Sequence, residues 1–356
     1  MRYAPPGILS LAMATQKEVA ELAGVSFITV SRVINGLDNV APDTRTRVEA
    51  AIKELNYHPN RQAQALNHGL TRTLAFVTPR MYELPLYNNF FVMSLLSGVE
   101  IQGRELGWDL LLTTDFDLKG QFDFLRVWHQ RKVDGLVFVG FQRFPQDQLL
   151  TIEEQAIPCV SIADRLESPA ISWIDTDNRS AARDAVRRLY ERGHRSFAFV
   201  GVDPGIDYNP NILERERAVR EALAELGMGM EVVLSDSAAP GSGKIAAKRY
   251  LALEERPTGI VCGNDSVAFQ FMIENASRGV LCPRDYSLVG FDAEPAGRLS
   301  SPTLASYKQP LLEMGRRAVR ALVDRITVEA WKKETIEFPL SFVEGSSLRD
   351  APGSER

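Results

Sequence analysis

Two sets of residues in this 356-residue sequence carry side chains suited to recognition chemistry. The first is a short run, Phe27, Ile28, Thr29, Ser31 and Arg32, left on the outer side of a segment whose inner side is Val30, Val33 and Ile34. An Arg, small hydroxyls and apolar tips at the exposed start of a short helix suit base edges in a DNA major groove. The second set is dispersed: Phe90, Asp164, Arg165, Trp173, Arg215, Asn264 and Asp292. Carboxylate, guanidinium, amide and aromatic ring together make the composition of a polyol site, in which polar groups grip hydroxyls and a ring covers the apolar face. Each residue also has a plain structural use, because an Asp at a strand end often just caps a helix and an aromatic is usually core.

The elements that must position these residues are legible. Thr15 followed by Glu18 makes a capping box, and Val19, Leu22 and Ala23 repeat at helical spacing. Gly24 sits where a helix end needs positive φ, and Ser26 caps a second helix. Taken alone, this is also an ordinary αα-hairpin. Pro42 suits the first turn of a third helix, whose Val48, Ile52 and Leu55 share one face. Residues 60–70 are too polar to fold alone and read as a flexible linker. From residue 73 the pattern changes. Apolar runs at 74–78, 108–114, 135–140, 158–162, 196–201, 231–234, 258–263 and 286–292 alternate with amphipathic stretches at 91–106, 178–192, 211–226 and 264–278. That alternation predicts α/β lobes with parallel, doubly wound sheets covered on both faces. In such lobes ligands gather at the carboxyl ends of strands. Asp164 and Arg165, Asn264, and Asp292 follow or end such runs, and Arg215 opens a helix after a long loop.

The runs TQKEVAELAGVSFITVSRVING (15–36) and VAPDTRTRVEAAIKELNYHPNRQAQAL (40–66) resemble the DNA-binding headpiece of the lactose-repressor/galactose-repressor (LacI/GalR) family of bacterial transcription factors. The resemblance is dense to residue 66 and continues more loosely to about residue 348. It implies an all-α helix-turn-helix headpiece on a two-lobed, periplasmic-binding-protein-like type I core. The domains implied are a disordered extension at 1–13, with Met13 as the start, a DNA-binding domain at 14–59, a hinge at 60–72, an effector and dimerisation core at 73–348, and a tail at 349–356. The lobes fall at about 73–174 plus 305–333 and about 175–304 plus 334–348, with return crossings near 304–308 and 333–337. DNA contacts are implied at Thr15, Ser26, Phe27, Ile28, Thr29, Ser31, Arg32, Asn35, Asn39, Thr44, Asn60 and Leu66, the last as a minor-groove wedge from a hinge that orders on DNA. Effector contacts are implied at Arg215, Asp292, Trp173 and Phe90, and more loosely at Asn264 and Asp164. The family's RxxGFxxAL pattern begins at Arg215 here, with Ala218 and Val219 in place of the Gly and the aromatic; the Ser or Thr before Pro42 is Ala41.

Composition narrows the function. A net charge of −5 argues at first against nucleic acid, but residues 14–72 carry seven cations against six carboxylates and the rest of the chain is acidic. One weakly basic headpiece binds weakly, so a homodimer on a near-palindromic operator is expected. The tail RDAPGSER holds no leucine heptad, which favours a dimer over a tetramer. Cys159, Cys262 and Cys282 read as reduced core thiols of a cytoplasmic protein. No run reaches membrane-spanning length, and the first residues make a poor signal peptide, which counts against a sugar receptor without DNA function. An enzyme on a dinucleotide fold needs a G-x-G-x-x-G after the first strand and a catalytic cluster; neither is present. Gly241-Ser242-Gly243-Lys244 lacks the rest of a P-loop and reads as a helix start; His58, His68, His129 and His194 have no metal spacing, so no cofactor is expected. The sequence therefore predicts a ligand-controlled, DNA-binding transcriptional regulator with a carbohydrate effector, a nucleobase or nucleoside being the alternative.

Overall fold

The computed structural model describes residues 14–34, 36–37, 39–58, 69–78, 89–114, 123–140, 145–206, 208–236 and 241–353. The chain divides into two units, residues 1–71 and 72–356.

In the first unit, α1 (Gln16–Ala23), α2 (Phe27–Ile34) and α3 (Pro42–Glu54) form a small helical core. The capping box is complete: Thr15 N–H donates to Glu18 Oε2 at 2.6 Å and Glu18 N–H donates to Thr15 Oγ1 at 3.3 Å. Gly24 takes φ +65, which lets its N–H turn back onto the end of α1. Thr29 N–H donates to Ser26 Oγ at 3.1 Å, so Ser26 caps α2, while Ala41 gives α3 no side-chain cap. Val19, Ala20, Ala23, Val30, Val33, Val48 and Ala51 are the buried core. Leu22, expected on the inner face, is 47% exposed, and Ala20 takes its place. Successive helical residues are about 100° apart, so 19, 20 and 23 cover an arc that excludes 22; α2 and α3 pack on that arc.

The second unit holds two six-stranded sheets. The first contains β1 (Thr73–Thr78), β2 (Asp109–Thr114), β3 (Gly135–Val139), β4 (Cys159–Ile162) and β5 (Ile171–Thr176). Around them lie α4 (Phe90–Glu105), α5 (Arg126–His129) and α6 (Gln146–Glu154). The chain then crosses to the second lobe with α7 (Asn178–Glu191), β6 (Phe197–Val202), α8 (Pro210–Glu225), β7 (Glu231–Ser235) and α9 (Gly243–Leu251). β8 (Gly259–Cys262), α10 (Asp265–Ser277), β9 (Ser287–Asp292), α11 (Ala296–Leu299) and β10 (Ala305–Lys308) complete that passage. α12 (Leu311–Thr327) and β11 (Thr335–Phe338) return to the first lobe, and β12 (Ser341–Val343) ends in the second.

The orders are β11-β5-β4-β3-β1-β2 and β12-β10-β9-β8-β6-β7, parallel throughout except for β12 against β10. Fully buried strands such as β3, β4, β6 and β9 account for the continuous apolar runs. Two of the expected lobe boundaries are corrected. β10 pairs with β9 and β12, so residues 305–308 belong to the second lobe. β11 pairs with β5, so residues 335–338 belong to the first. The crossings therefore fall after Thr176, at 309–310 and at 339–340. The stack of Tyr307 on Phe291, 5.2 Å between centroids, shows why β10 cannot leave: its aromatic is core to the second lobe. α12 packs closely on α4, where a Cβ on Gly98 would lie 2.1 Å from Leu312 O. His194, just past α7 in the turn to β6, is fully buried and ties Thr258 Oγ1 (3.0 Å) and Arg349 O (3.2 Å) together. Part of the expected tail is thereby docked: Arg349 N–H donates to Ser287 Oγ at 2.9 Å and Ala351 N–H to Arg192 O at 2.8 Å. No helix of the described residues is long and apolar enough to cross a membrane.

Candidate functional site

On the first unit, packing of Val30 and Val33 leaves the opposite side of α2 outside. Phe27 is 55% exposed, Ile28 62%, and Arg32 is exposed; Thr29 and Ser31 are half-buried. Ser26 and Thr29 share a hydroxyl contact of 2.9 Å, and the Thr15 hydroxyl belongs to the capping box. Asn39 is exposed ahead of α3, and Thr44, in the first turn of α3, is half-buried. Asn35, Asn60 and Leu66 lie outside the described residues.

The second unit gathers a polar cluster at the carboxyl ends of its strands, where the chain crosses between lobes. Arg215, from the first turns of α8, is 2% exposed. Its Nε donates to Asn178 Oδ1 at 2.7 Å, its Nη1 to Gly263 O at 2.6 Å, and its guanidinium lies 4.4 Å over the Phe291 ring. Asp292 ends β9 with φ +112, accepts from Gln309 Nε2, and interacts with Arg215. Burial pushes the Asp292 carboxyl up, against the pull of Arg215. Asp265, fully buried beside it, is also pushed up by burial; it accepts from Ser306 Oγ at 2.8 Å and Glu294 N–H at 2.9 Å.

Arg165 stands at the other side of the cluster. Its Nε donates to Asp175 at 2.9 Å and its Nη2 to Thr176 O at 2.9 Å, while Nη1 pairs with Glu214 at 3.4 Å and Nη2 also meets Glu337. Its guanidinium lies 5.5 Å from the half-buried Trp173 ring. Asp164 packs against Gly140, where any Cβ would fall 2.1 Å from its own, and burial with Asp175 nearby pushes it up to about 6. Among the described residues, Arg165 with Glu214 and Asn211 Nδ2 donating to Ala163 O at 3.3 Å tie the lobes together, and the Thr176 hydroxyl donates to Gln309 Oε1 at 3.3 Å between two crossings.

Of the residues singled out from sequence, Arg215, Asp292, Arg165 and Trp173 enter this cluster and Asp164 borders it. Asn264 is committed to capping α10, its Oδ1 accepting from Val267 N–H at 2.9 Å. Phe90 opens α4 and packs on the first lobe's core. Asn178, Asn211, Glu214, Gln309 and Asp175 were missed. Their one signal is position: Asp175, Asn178 and Gln309 are polar residues at or just beyond a strand end, and Asn211 and Glu214 are polar residues in the first turns of α8. Among the described residues no His, Cys, Asp and Glu group could hold a metal, and burial pushes the Cys159 and Cys262 thiols up, away from nucleophilic use.

Asp164 supplies a pH test. Its folded carboxyl holds a proton at pH values where the unfolded one, near 3.9, has lost it. Its contribution to stability is therefore present below about pH 4 and lost as pH rises through about 6. Relative to wild type, Asp164→Asn should gain on the order of 1–2 kcal/mol between those limits, allowing for the side chain's remaining exposure. Denaturant midpoints at about pH 4 and about pH 7, on either side of that loss, check this; a difference that does not change with pH would reject it.

Comparison with known proteins adds to this geometry. The profile described as "Bacterial regulatory proteins, lacI family" matches residues 15–60, and "Periplasmic binding protein-like domain" matches residues 186–348. The transcriptional repressor PurR of Photobacterium profundum is 30% identical, over 95% of this chain and 99% of its own length. PurR of Pectobacterium atrosepticum is 32% identical, over 96% and 98%. The regulator RegA of Clostridium saccharobutylicum is 30% identical, over 87% and 92%. Among solved structures, a transcriptional regulator CelR–cellobiose complex is 29% identical with a TM-score of 0.67, covering 94% of this chain and 99% of its own. The Lac repressor dimer bound to operator and an anti-inducer shares the fold at a TM-score of 0.80 and 23% identity, with the same coverage.

Proposed function

The chain belongs to the LacI family of bacterial regulatory proteins and is a DNA-binding transcriptional regulator; on that premise we propose that a carbohydrate held between the two lobes of the core controls its affinity for operator. The observation that carries this reading is the bonded run Arg165–Glu214–Asn178–Arg215 and Asp292–Gln309–Thr176, which joins both lobes through groups able to grip hydroxyls. A ligand inserted there competes for contacts that set how the lobes lie, and it shifts an equilibrium only if it favours one arrangement over the other. The cellobiose in the CelR complex supports a sugar. A nucleobase is the second reading, favoured by the half-buried ring of Trp173 beside the cluster. Asp164 and Asp292 favour the polyol, since carboxylates accept from paired hydroxyls. A thermal-shift screen over sugars and nucleosides, followed by operator release with any hit, tests the proposal. A hit that stabilises the core yet leaves operator affinity unchanged would defeat it.

We read the exposed side of α2 as the base-reading face, used by two copies on a near-palindromic operator. Phe27 and Ile28 suit thymine methyls and Arg32 suits guanine. Arg32→Ala should cost about 1–3 kcal/mol of specific binding and little of non-specific binding. Mobility shifts on a selected operator and on random duplex separate the two; equal losses on both would assign Arg32 to phosphate instead.

A further inference from the structure

We infer that the ligand of the core is uncharged or cationic, and that the cluster between the lobes excludes phosphorylated and carboxylated compounds. This rests on the small-ligand reading above and adds the ligand's charge to it. Among the described residues, Arg165 and Arg215 are the guanidinium groups of the cluster, and both are already engaged. All three nitrogens of Arg165 are used: Nε on Asp175, Nη1 on Glu214, and Nη2 on Thr176 O and Glu337. Two nitrogens of Arg215 end on Asn178 Oδ1 and Gly263 O, and its ring-facing side is closed by Phe291. Only Nη2 of Arg215 has no hydrogen-bond partner among the described residues, and Asp292 already sets its charge against that cation.

Among the described residues the carboxylates are in excess. Asp175, Glu214 and Glu337 surround one guanidinium; Asp265 and Asp292 lie near the other, and Asp164 borders them without a cation. A fork-on-fork grip of a phosphate or carboxylate needs an uncommitted guanidinium or ammonium. An anion entering here meets like charge at short range, or must bring a proton onto one of the raised carboxyls. A hydroxyl donates to those same carboxylates and accepts from the remaining Arg215 nitrogen, and an ammonium fits the excess directly.

The test uses the full-length protein and charge-matched probes: glucose, glucosamine, glucose 6-phosphate, glucuronate, cellobiose, adenosine and adenosine monophosphate. Binding is measured by calorimetry at about pH 8, above Asp164 and Asp175 at about 6 and Asp292 at about 7, in low salt. The expected result is that binding is confined to uncharged or cationic members, with any anionic member about 100-fold weaker than its parent. An anionic member that binds as tightly as its parent overturns the inference while leaving the ligand reading standing. Binding by no member of the panel would overturn the ligand reading and this inference together.

Discussion

Asp292→Asn should abolish the response to ligand, weakening ligand binding by about 100-fold, or roughly 2.7 kcal/mol, while the unliganded protein binds operator as before. The substitution is isosteric, and Asn tolerates positive φ better than most residues, so the backbone at φ +112 has no reason to move. What changes is hydrogen-bond polarity. The carboxylate accepts from Gln309 Nε2 and balances Arg215. An amide in its place has one accepting oxygen, and its NH2 group turns donors toward donors. A ligand hydroxyl that donated to the second carboxylate oxygen would be left unpaired in a buried site, which costs about 1–3 kcal/mol, more beside charge. Operator binding belongs to the other unit, residues 1–71, whose core shares no residue with this one. Calorimetry with the ligand found by screening, and anisotropy of labelled operator, measure the two effects separately. A variant that still binds and still responds would mean that ligand sits elsewhere in the core.

Much of this was legible in the sequence, and the failures have physical causes. Capping residues act on their own neighbours, so Thr15 with Glu18, Gly24, and Ser26 marked the ends of the first two helices directly. Buried parallel strands are continuous apolar runs, so β3, β6 and β9 were plain. β5 was harder, because Ser172, Trp173, Asp175 and Thr176 give it a polar sequence although nearly all of it is buried. It is paired on both sides, by β4 and β11, and satisfaction by tertiary partners leaves no local mark. The crossings at 309–310 and 339–340 were misplaced for the same reason: which sheet accepts β10 or β11 is decided by pairing over long separations. In the cluster, types were readable and partners were not. Arg215 and Asp292 stood out at element ends, but Asn178, Gln309 and Glu214 matter only because folding brings them to those groups. Asn264 was the opposite case. Two residues past β8, it could reach a ligand or cap the next helix, and its Oδ1 caps.

Arg215→Ala should lower the stability of the core by about 3–5 kcal/mol and its melting temperature by roughly 10 °C, with the headpiece unaffected. The expectation follows from what the side chain holds rather than from its charge alone. Asn178 Oδ1 and Gly263 O lose their donor in a buried site, and the Phe291 ring loses the group packed on it. Asp292 then has no cation to offset its burial, so either it takes up a proton or the fold carries an isolated charge. Arg215→Lys keeps the charge but not the fork. One ammonium cannot reach Asn178, Gly263 and the ring face together, so Lys should recover only part of the loss. The order wild type, Lys, Ala in calorimetric melting is thus the signature of a framing role, in which Arg215 joins the crossing after Thr176 to the end of β8. If Ala melts with wild type and only ligand binding falls, the guanidinium is an unstrained donor waiting for ligand. The lobes would then be set by Arg165 and Glu214 without it.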